Sequence, residues 1–368
     1  MNRREKLRSK RARRVGPASW LEASPWLVSV WLVSGLIFLF LSQACRRESP
    51  SVYRIGYFQV VDSVTANEAR RGFLQALQES GLWPSPNLDI EIRNALGEVQ
   101  EVQAIAQEFV RKKKNLIIAH STPCLQAALM ATREIPVIFL AVANPYLINA
   151  GRSAEEHLPN VTGVASTGPI RQTLILIKEV LPLVRKVGTL WTPSEINSEY
   201  YLQLAKEAAA ELNLELVTVP VSSPQDVLIG AQILVSKKID CFFPISDNTI
   251  NASFTSIARV AEENSVPLFG SFLLAAHSGA CAALGLDFFS LGYEAGKLAV
   301  RVKNGESPGD IPFLSPQEIK LYLNLLAAKK QGVTFPPDIL KKADEIITVE
   351  EDTQRFNGKS WGGMADIY

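Results

Sequence analysis

Apolar positions along this chain recur in two spacings, and the two spacings take turns. Residues 53–60 (YRIGYFQV) form a short apolar run that predicts a strand. Residues 67–80 (NEARRGFLQALQES) then carry apolar positions at helical spacing up to Gly81, and residues 88–94 return to a strand pattern. Residues 98–113 place Val102, Ile105, Ala106, Phe109 and Val110 on one buried helical face. A buried strand at 116–119, a helix at 123–132 and another buried strand at 137–142 follow. This βαβαβαβ order predicts a parallel sheet covered by helices on both faces.

The pattern then begins again. Strands are expected at 161–164, 186–191, 214–220, 241–245 and 267–270, with helices at 171–181, 199–212, 224–237 and 250–264. A strand at 282–286 and a helix at 291–304 come next, and Gly305-Glu306-Ser307-Pro308-Gly309 breaks the run. A last strand at 319–323 and helix at 324–331 precede a polar tail at 333–368. The fold class is therefore α/β, with two doubly wound parallel-sheet lobes. Ligands of open parallel sheets lie beyond the carboxyl ends of the strands. The loops there are 59–66, 120–123, 143–145, 192–199, 246–249 and 271–279, rich in Ser, Thr, Asn and Asp. Each could be a plain helix cap; several converging on one cleft could hold a polar solute.

Charge changes the picture at the N-terminus. The formal net charge is +1, yet residues 1–44 hold eight of the 38 Lys and Arg and two of the 37 Asp and Glu. The rest of the chain is mildly acidic and has no basic stripe for phosphates, which argues against nucleic acid as a partner. A basic start, an uncharged apolar run at 26–41 and a small residue, Ala44, before Cys45 read as a secretory signal. Cys45 stands where a bacterial lipoprotein is cleaved and lipidated; an uncleaved anchor is the alternative, and residues 1–51 are signal and linker on either reading. Both put the body outside the cytoplasm, anchored to the membrane. Cys124, Cys241 and Cys281 lie in apolar surroundings and are expected as buried free thiols.

Catalytic and metal signatures are missing. There are three histidines, His120, His157 and His277, and no Gly-x-Ser-x-Gly elbow accompanies them. No Cys-x-x-Cys, His-x-x-x-His or glycine-rich phosphate loop occurs. The expectation is a binding protein, not an enzyme, with neither metal nor cofactor.

Several ordered motifs between residues 54 and 332 resemble one family. They are Ser121-Thr122-Pro123, Asn144-Pro145, Asn160-Val161-Thr162-Gly163-Val164, Glu195-Ile196-Asn197-Ser198, Pro244-Ile245-Ser246-Asp247-Asn248-Thr249, Gly279 to Gly285, and Leu291-Gly292. In this order they are similar to the extracytoplasmic substrate-binding proteins of ABC importers, in the branch associated with tryptophan and other large amino acids. The resemblance implies the type I periplasmic-binding-protein fold, its lobes joined by a three-crossing hinge. One lobe would take residues 52–143 and 280–312, the other 144–279 and 313–332. It also implies a membrane permease and a cytoplasmic ATPase as partners.

An amino-acid ligand suits these residues. A carboxylate seeks N–H donors at a helix N-terminus, which Ser121 and Thr122 could supply before Pro123. An ammonium seeks a carboxylate, for which Asp247 is the best candidate, flanked by Asn248. Asn197 and Ser198 could clamp the ligand from the opposite loop, with Gln59 as a further polar contact. Apolar walls could come from Phe58, Tyr200, Tyr201 or Phe272. Two departures bear on the ligand: the family usually carries Asp where Asn144 stands, and a small residue where His120 stands. A sugar or nucleoside receptor of the same fold, or a membrane-anchored sensor or scaffold without transport, are the alternative functions.

Overall fold

Strand β1 (Tyr53–Gln59) pairs with β2 (Leu88–Asn94) on one side and β3 (Leu116–His120) on the other, and β4 (Val137–Val142) and β5 (Val161–Ala165) complete a five-stranded parallel sheet in the order β2-β1-β3-β4-β5. The computed structural model describes residues 52–316 and 318–349. Helices α1 (Val64–Glu79), α2 (Val99–Arg111) and α3 (Thr122–Ala131) connect the first four strands. Two apolar clusters, one on each face, bury the sheet between helices, as the unbroken apolar runs of β3 and β4 require.

The second lobe holds α4 (Ile170–Val180), β6 (Lys186–Trp191), α5 (Ile196–Glu211), β7 (Glu215–Pro220), α6 (Asp226–Ser236) and β8 (Cys241–Phe242). Helices α7 (Asn248–Ala252) and α8 (Phe254–Glu263) then lead to β9 (Phe269–Gly270) and β10 (Ala282–Gly285). The parallel sheet β7-β6-β8 is bridged from Phe242 to Leu268, beside a second sheet ordered β12-β11-β10-β9. Here β11 (Lys320–Asn324) runs antiparallel to β10. Helix α10 (Leu325–Lys330) and helix α11 (Pro337–Lys342) precede β12 (Glu345–Ile347), which runs parallel to β11. Two doubly wound α/β lobes are thus present, the second with one reversed strand.

Sheet membership corrects the expected boundaries. Residues 161–165 belong to the first sheet, not the second lobe, because β5 is buried throughout and takes its backbone partners from β4. Residues 282–285 belong to the second sheet, paired with β9 and β11. Leu314 bridges back to Val164. The chain therefore passes between lobes after residue 165, after 285 and after 314. The expected tail at 333–368 is also corrected in its first part. Phe335, Ile339 and Ile347 are buried in the second-lobe core, and Glu345 lies 2.9 Å from His277 Nε2. Spaced apolar residues between charges conceal such a short terminal strand.

Helix α9 (Phe288–Lys303) crosses back onto the first lobe and lies against α1 with almost no separation. A Cβ on Gly292 would fall 1.7 Å from the Ala69 carbonyl oxygen, and one on Gly72 would fall 2.0 Å from that of Phe289. Glycine is needed on both sides of this seam. Helix α1 begins three residues earlier than its periodicity suggests, because Ser63 Oγ accepts from Ala66 N at 3.1 Å and caps it. The seam and the early start bring the N-termini of α1 and α9 to one edge of the sheet. Cys124, Cys241 and Cys281 are buried free thiols. Among the described residues no helix is long and apolar enough to cross a membrane; Cys45 and the apolar run at 26–41 lie outside them.

Candidate ligand-binding cleft

A small cavity of about 50 Å³ opens where the strand ends of the two lobes face each other. The first lobe lines it with Ser63, Thr65 and Ala66 from the start of α1, with His120, Ser121 and Ala141, and with Phe288 from the start of α9. The second lobe contributes Asn197 and Tyr201 from α5 and Ser246, Asp247, Asn248 and Asn251 around α7, with Ala143 and Ser166 near the first passage. Asn251 Nδ2 reaches Thr65 Oγ1 at 3.5 Å, so the lobes touch across the opening.

Two buried carboxylates stand on the second-lobe side, Asp247 in the wall and Glu195 behind it. Glu195 accepts from the backbone N–H groups of Asn248 and Thr249, from the Asn248 and Asn197 amides and from the Thr249 hydroxyl, at 2.6–3.1 Å. It ties the loop after β6 to the start of α7. Asp247 caps α7 by accepting from Ile250 N at 2.7 Å and takes a second hydrogen bond from Ser198 Oγ, also at 2.7 Å. Among the described residues neither carboxylate has a Lys, Arg or His within ion-pair distance. Burial first, and the charge of Glu195 second, push the Asp247 carboxyl well above its usual range. Such a pair is costly to hold ionised and is relieved by a cation in the cleft. Among the described residues the Asn197 amide oxygen, in the same wall as Asp247, is buried with no hydrogen-bond partner. It can accept from the same cation.

The first-lobe wall offers donors. Among the described residues the Ser121 and Thr122 hydroxyls are buried with no hydrogen-bond partner at the N-terminus of α3, where free amides and the helix dipole favour an anion. Ser121 has φ 86° and ψ 165°, a conformation that glycine adopts and other residues pay for. Ala141, at φ 54°, sits in a bulge where the β4–β5 register shifts. Both strained residues line the cavity, as strain at functional sites often does. Ser121→Gly is expected to be more stable than Ser121→Ala by about 1–3 kcal/mol, read from urea denaturation. Equal stabilities would mean that the serine backbone is unstrained.

The candidates named from sequence divide into three groups. Asn197, Asp247, Asn248 and Ser121 line the cavity; Ser198 and Thr122 stand directly behind it. Gln59 does not, because its amide is held by Arg70, Asp62 and the Val61 carbonyl. Phe272 packs edge-on against Phe254 at 5.1 Å in the second-lobe core, and Phe58 does the same with Phe109. Asn144 is also outside the cavity lining: it accepts from Tyr146 N and caps a short turn. The replacement of Asp by Asn at 144 therefore removes no charge from the wall. Sequence reasoning missed Phe288, Thr65, Asn251 and Ser166. The cap at Ser63 was a readable signal for Thr65, whereas Phe288 reaches the cleft through the passage at 285.

Comparison with known proteins bears on this geometry. A family model described as ABC transporter substrate binding protein matches residues 54–347. The chain belongs to that family. It is a substrate-binding protein of an ABC transporter, a family that works outside the cytoplasm. It is 36% identical over 279 residues, 76% of this chain and 81% of the relative, to a tyrosine-binding protein of Clostridioides difficile. A domain from Streptococcus pneumonia solved in complex with L-Trp is 28% identical, with a TM-score of 0.76, over 81% of this chain and 100% of that one. A ligand-free, open substrate-binding protein with adhesive properties from Clostridium difficile is 30% identical, with a TM-score of 0.60, over the same shares. At near-equal identity the liganded structure superposes better, which agrees with the contact between Asn251 and Thr65. In this ABC transporter substrate-binding protein the two lobes meet at the Asn251–Thr65 contact.

Proposed function

We propose that this protein captures an aromatic L-α-amino acid and delivers it to a membrane permease driven by a cytoplasmic ATPase, while held at the membrane by lipidated Cys45 or by an uncleaved segment at 26–41. The observation that carries this reading is Asp247, a buried carboxylate in the cleft wall with no cationic partner among the described residues. The ligand's ammonium meets Asp247 and the Asn197 amide oxygen. Its carboxylate meets the Ser121 and Thr122 end of α3, and its ring lies between Phe288 and Tyr201. The tyrosine-binding relative and the L-Trp complex support an aromatic ligand. Contacts to both lobes are what a ligand needs to favour the closed form.

Titration of Asp247 supplies the test. The raised carboxyl is partly protonated in the free protein above its ordinary range, and an ammonium beside it restores the ionised form. Binding should therefore release a proton, and affinity should rise with pH until the free carboxyl is fully ionised. Stability of the free protein runs the other way: the folded state holds a proton that the unfolded state has lost, so stability falls as pH rises through the same interval. Calorimetry in two buffers of different ionisation enthalpy at several pH values, across aromatic amino acids, their amine-free keto acids, sugars and nucleosides, reads the proton release and the affinity, and thermal denaturation reads the stability. A sugar or nucleoside that binds where no amino acid does would overturn the substrate.

A further inference from the structure

His120 is not needed for the contacts above, yet it lines the cavity, buried, at the end of β3. The Tyr57 hydroxyl lies 2.7 Å from its Nδ1, and both side chains are buried. Two arrangements of protons fit that distance. If Nδ1 carried the ring proton and donated it, the phenolic hydrogen of Tyr57 would be buried without an acceptor among the described residues. If instead the phenol donates to Nδ1, both groups are satisfied and the ring proton sits on Nε2. Burial favours the second arrangement, because an unmet donor in the interior is costly. The same burial, helped by the charge of Arg70, holds the imidazole pKa at about 3. The ring is neutral at physiological pH, with one N–H.

That N–H has no protein acceptor among the described residues. Tyr57 belongs to the apolar cluster beneath α1 and α9, on the sheet face against which Phe288 packs. Ala66 and Phe288 line the cavity from those two helices. The corner so formed holds an aromatic ring and a small apolar side chain; the Ser63 and Thr65 hydroxyls beside it bond to each other, and the His120 N–H is left for a ligand. We infer that His120, locked by Tyr57, is a specificity-determining residue that donates from Nε2 to the oxygen of a hydroxylated aromatic side chain, so that a phenol is preferred to a phenyl or an indole ring.

Phenyl leaves the donor unmet. Indole brings its own N–H, and two donors then face each other unless the tautomer flips and strands the Tyr57 hydrogen. This inference rests on the amino-acid reading above. Calorimetric dissociation constants for tyrosine, phenylalanine and tryptophan test it in the wild type, His120→Leu, His120→Gln and Tyr57→Phe. The wild type should bind tyrosine about tenfold more tightly than phenylalanine, the worth of one hydrogen bond. In His120→Leu that ratio should fall to about one. In His120→Gln, whose amide nitrogen can stand near the Nε2 position, part of it should return. Tyr57→Phe keeps the ring packing but frees the tautomer, and should narrow the preference for tyrosine over tryptophan. Nitrogen-15 NMR of the histidine ring should find the proton on Nε2 in the free protein. A proton on Nδ1, a wild-type ratio near one, or a ratio unchanged in His120→Leu because both ligands weaken together would overturn the inference. The last result would assign His120 to the carboxylate that all amino acids share. Binding with an altered ratio separates these outcomes from failure of the substrate reading, in which none of the three amino acids binds.

Discussion

Asp247→Asn should leave a folded protein whose affinity for its amino acid has dropped by about a hundredfold or more. On the proposed reading the ligand's ammonium pairs with the buried Asp247 carboxylate, and removing one partner of a buried pair costs about 3–5 kcal/mol. Each tenfold in affinity is about 1.4 kcal/mol. The fold should survive because asparagine keeps an oxygen for Ile250 N, the hydrogen bond that caps α7. Ser198 Oγ can turn to accept from the new amide while still receiving Thr192 N. The substitution also removes one of two neighbouring negative groups, so the free protein should be at least as stable as the wild type at neutral pH. Loss of binding with an undiminished melting temperature is the signature. Unchanged affinity would leave Asp247 as a helix cap alone.

Gly292→Ala should have the largest effect on stability of any single methyl addition in the first lobe. The added carbon would lie 1.7 Å from the Ala69 carbonyl oxygen and 2.6 Å from its carbon. Both are backbone atoms of α1 and cannot rotate aside, so the two helices must separate along the seam. Overpacking of this kind costs about 3 kcal/mol, which lowers the melting temperature on the order of 10 °C. Gly72→Ala acts on the same seam from the other side, 2.0 Å from the Phe289 oxygen. Once the helices are apart, the second methyl finds room, so the double variant should lose less than the sum of the two. Additive losses in thermal denaturation would show that the seam does not move as one.

The order of elements was readable because each buried strand is a short apolar run and each helix shows one apolar face. Which sheet a strand joins was not readable: β5 and β10 are small, apolar and buried on both sides, and such a strand fits either lobe. The candidate site was partly legible for a related reason. Asp247, Asn248 and Asn197 follow strand ends, where the topology directs polar side chains to the cleft. Glu195 in the same loop passed as an ordinary acid, although it accepts five hydrogen bonds there. Gln59 and Phe272 also follow or end strands, but neighbours claim them first. Arg70 reaches back eleven residues to hold Gln59, and Phe254 covers Phe272. Such competition depends on helix phase and on packing between distant segments, which spacing along the chain does not record.

Tyr201 gives the cleft a property that no list of contacts conveys. Its ring lines the cavity, while its hydroxyl donates to the Ser166 carbonyl at 2.7 Å and accepts from Gly168 N at 3.2 Å. Residues 166–168 are the first passage between the lobes, so one side chain joins the cavity to that passage. On the proposed reading, a solute packed against that ring would be coupled to the passage through the two hydrogen bonds of the phenol. Filling of the cavity and the geometry of that passage would then be linked through one phenol.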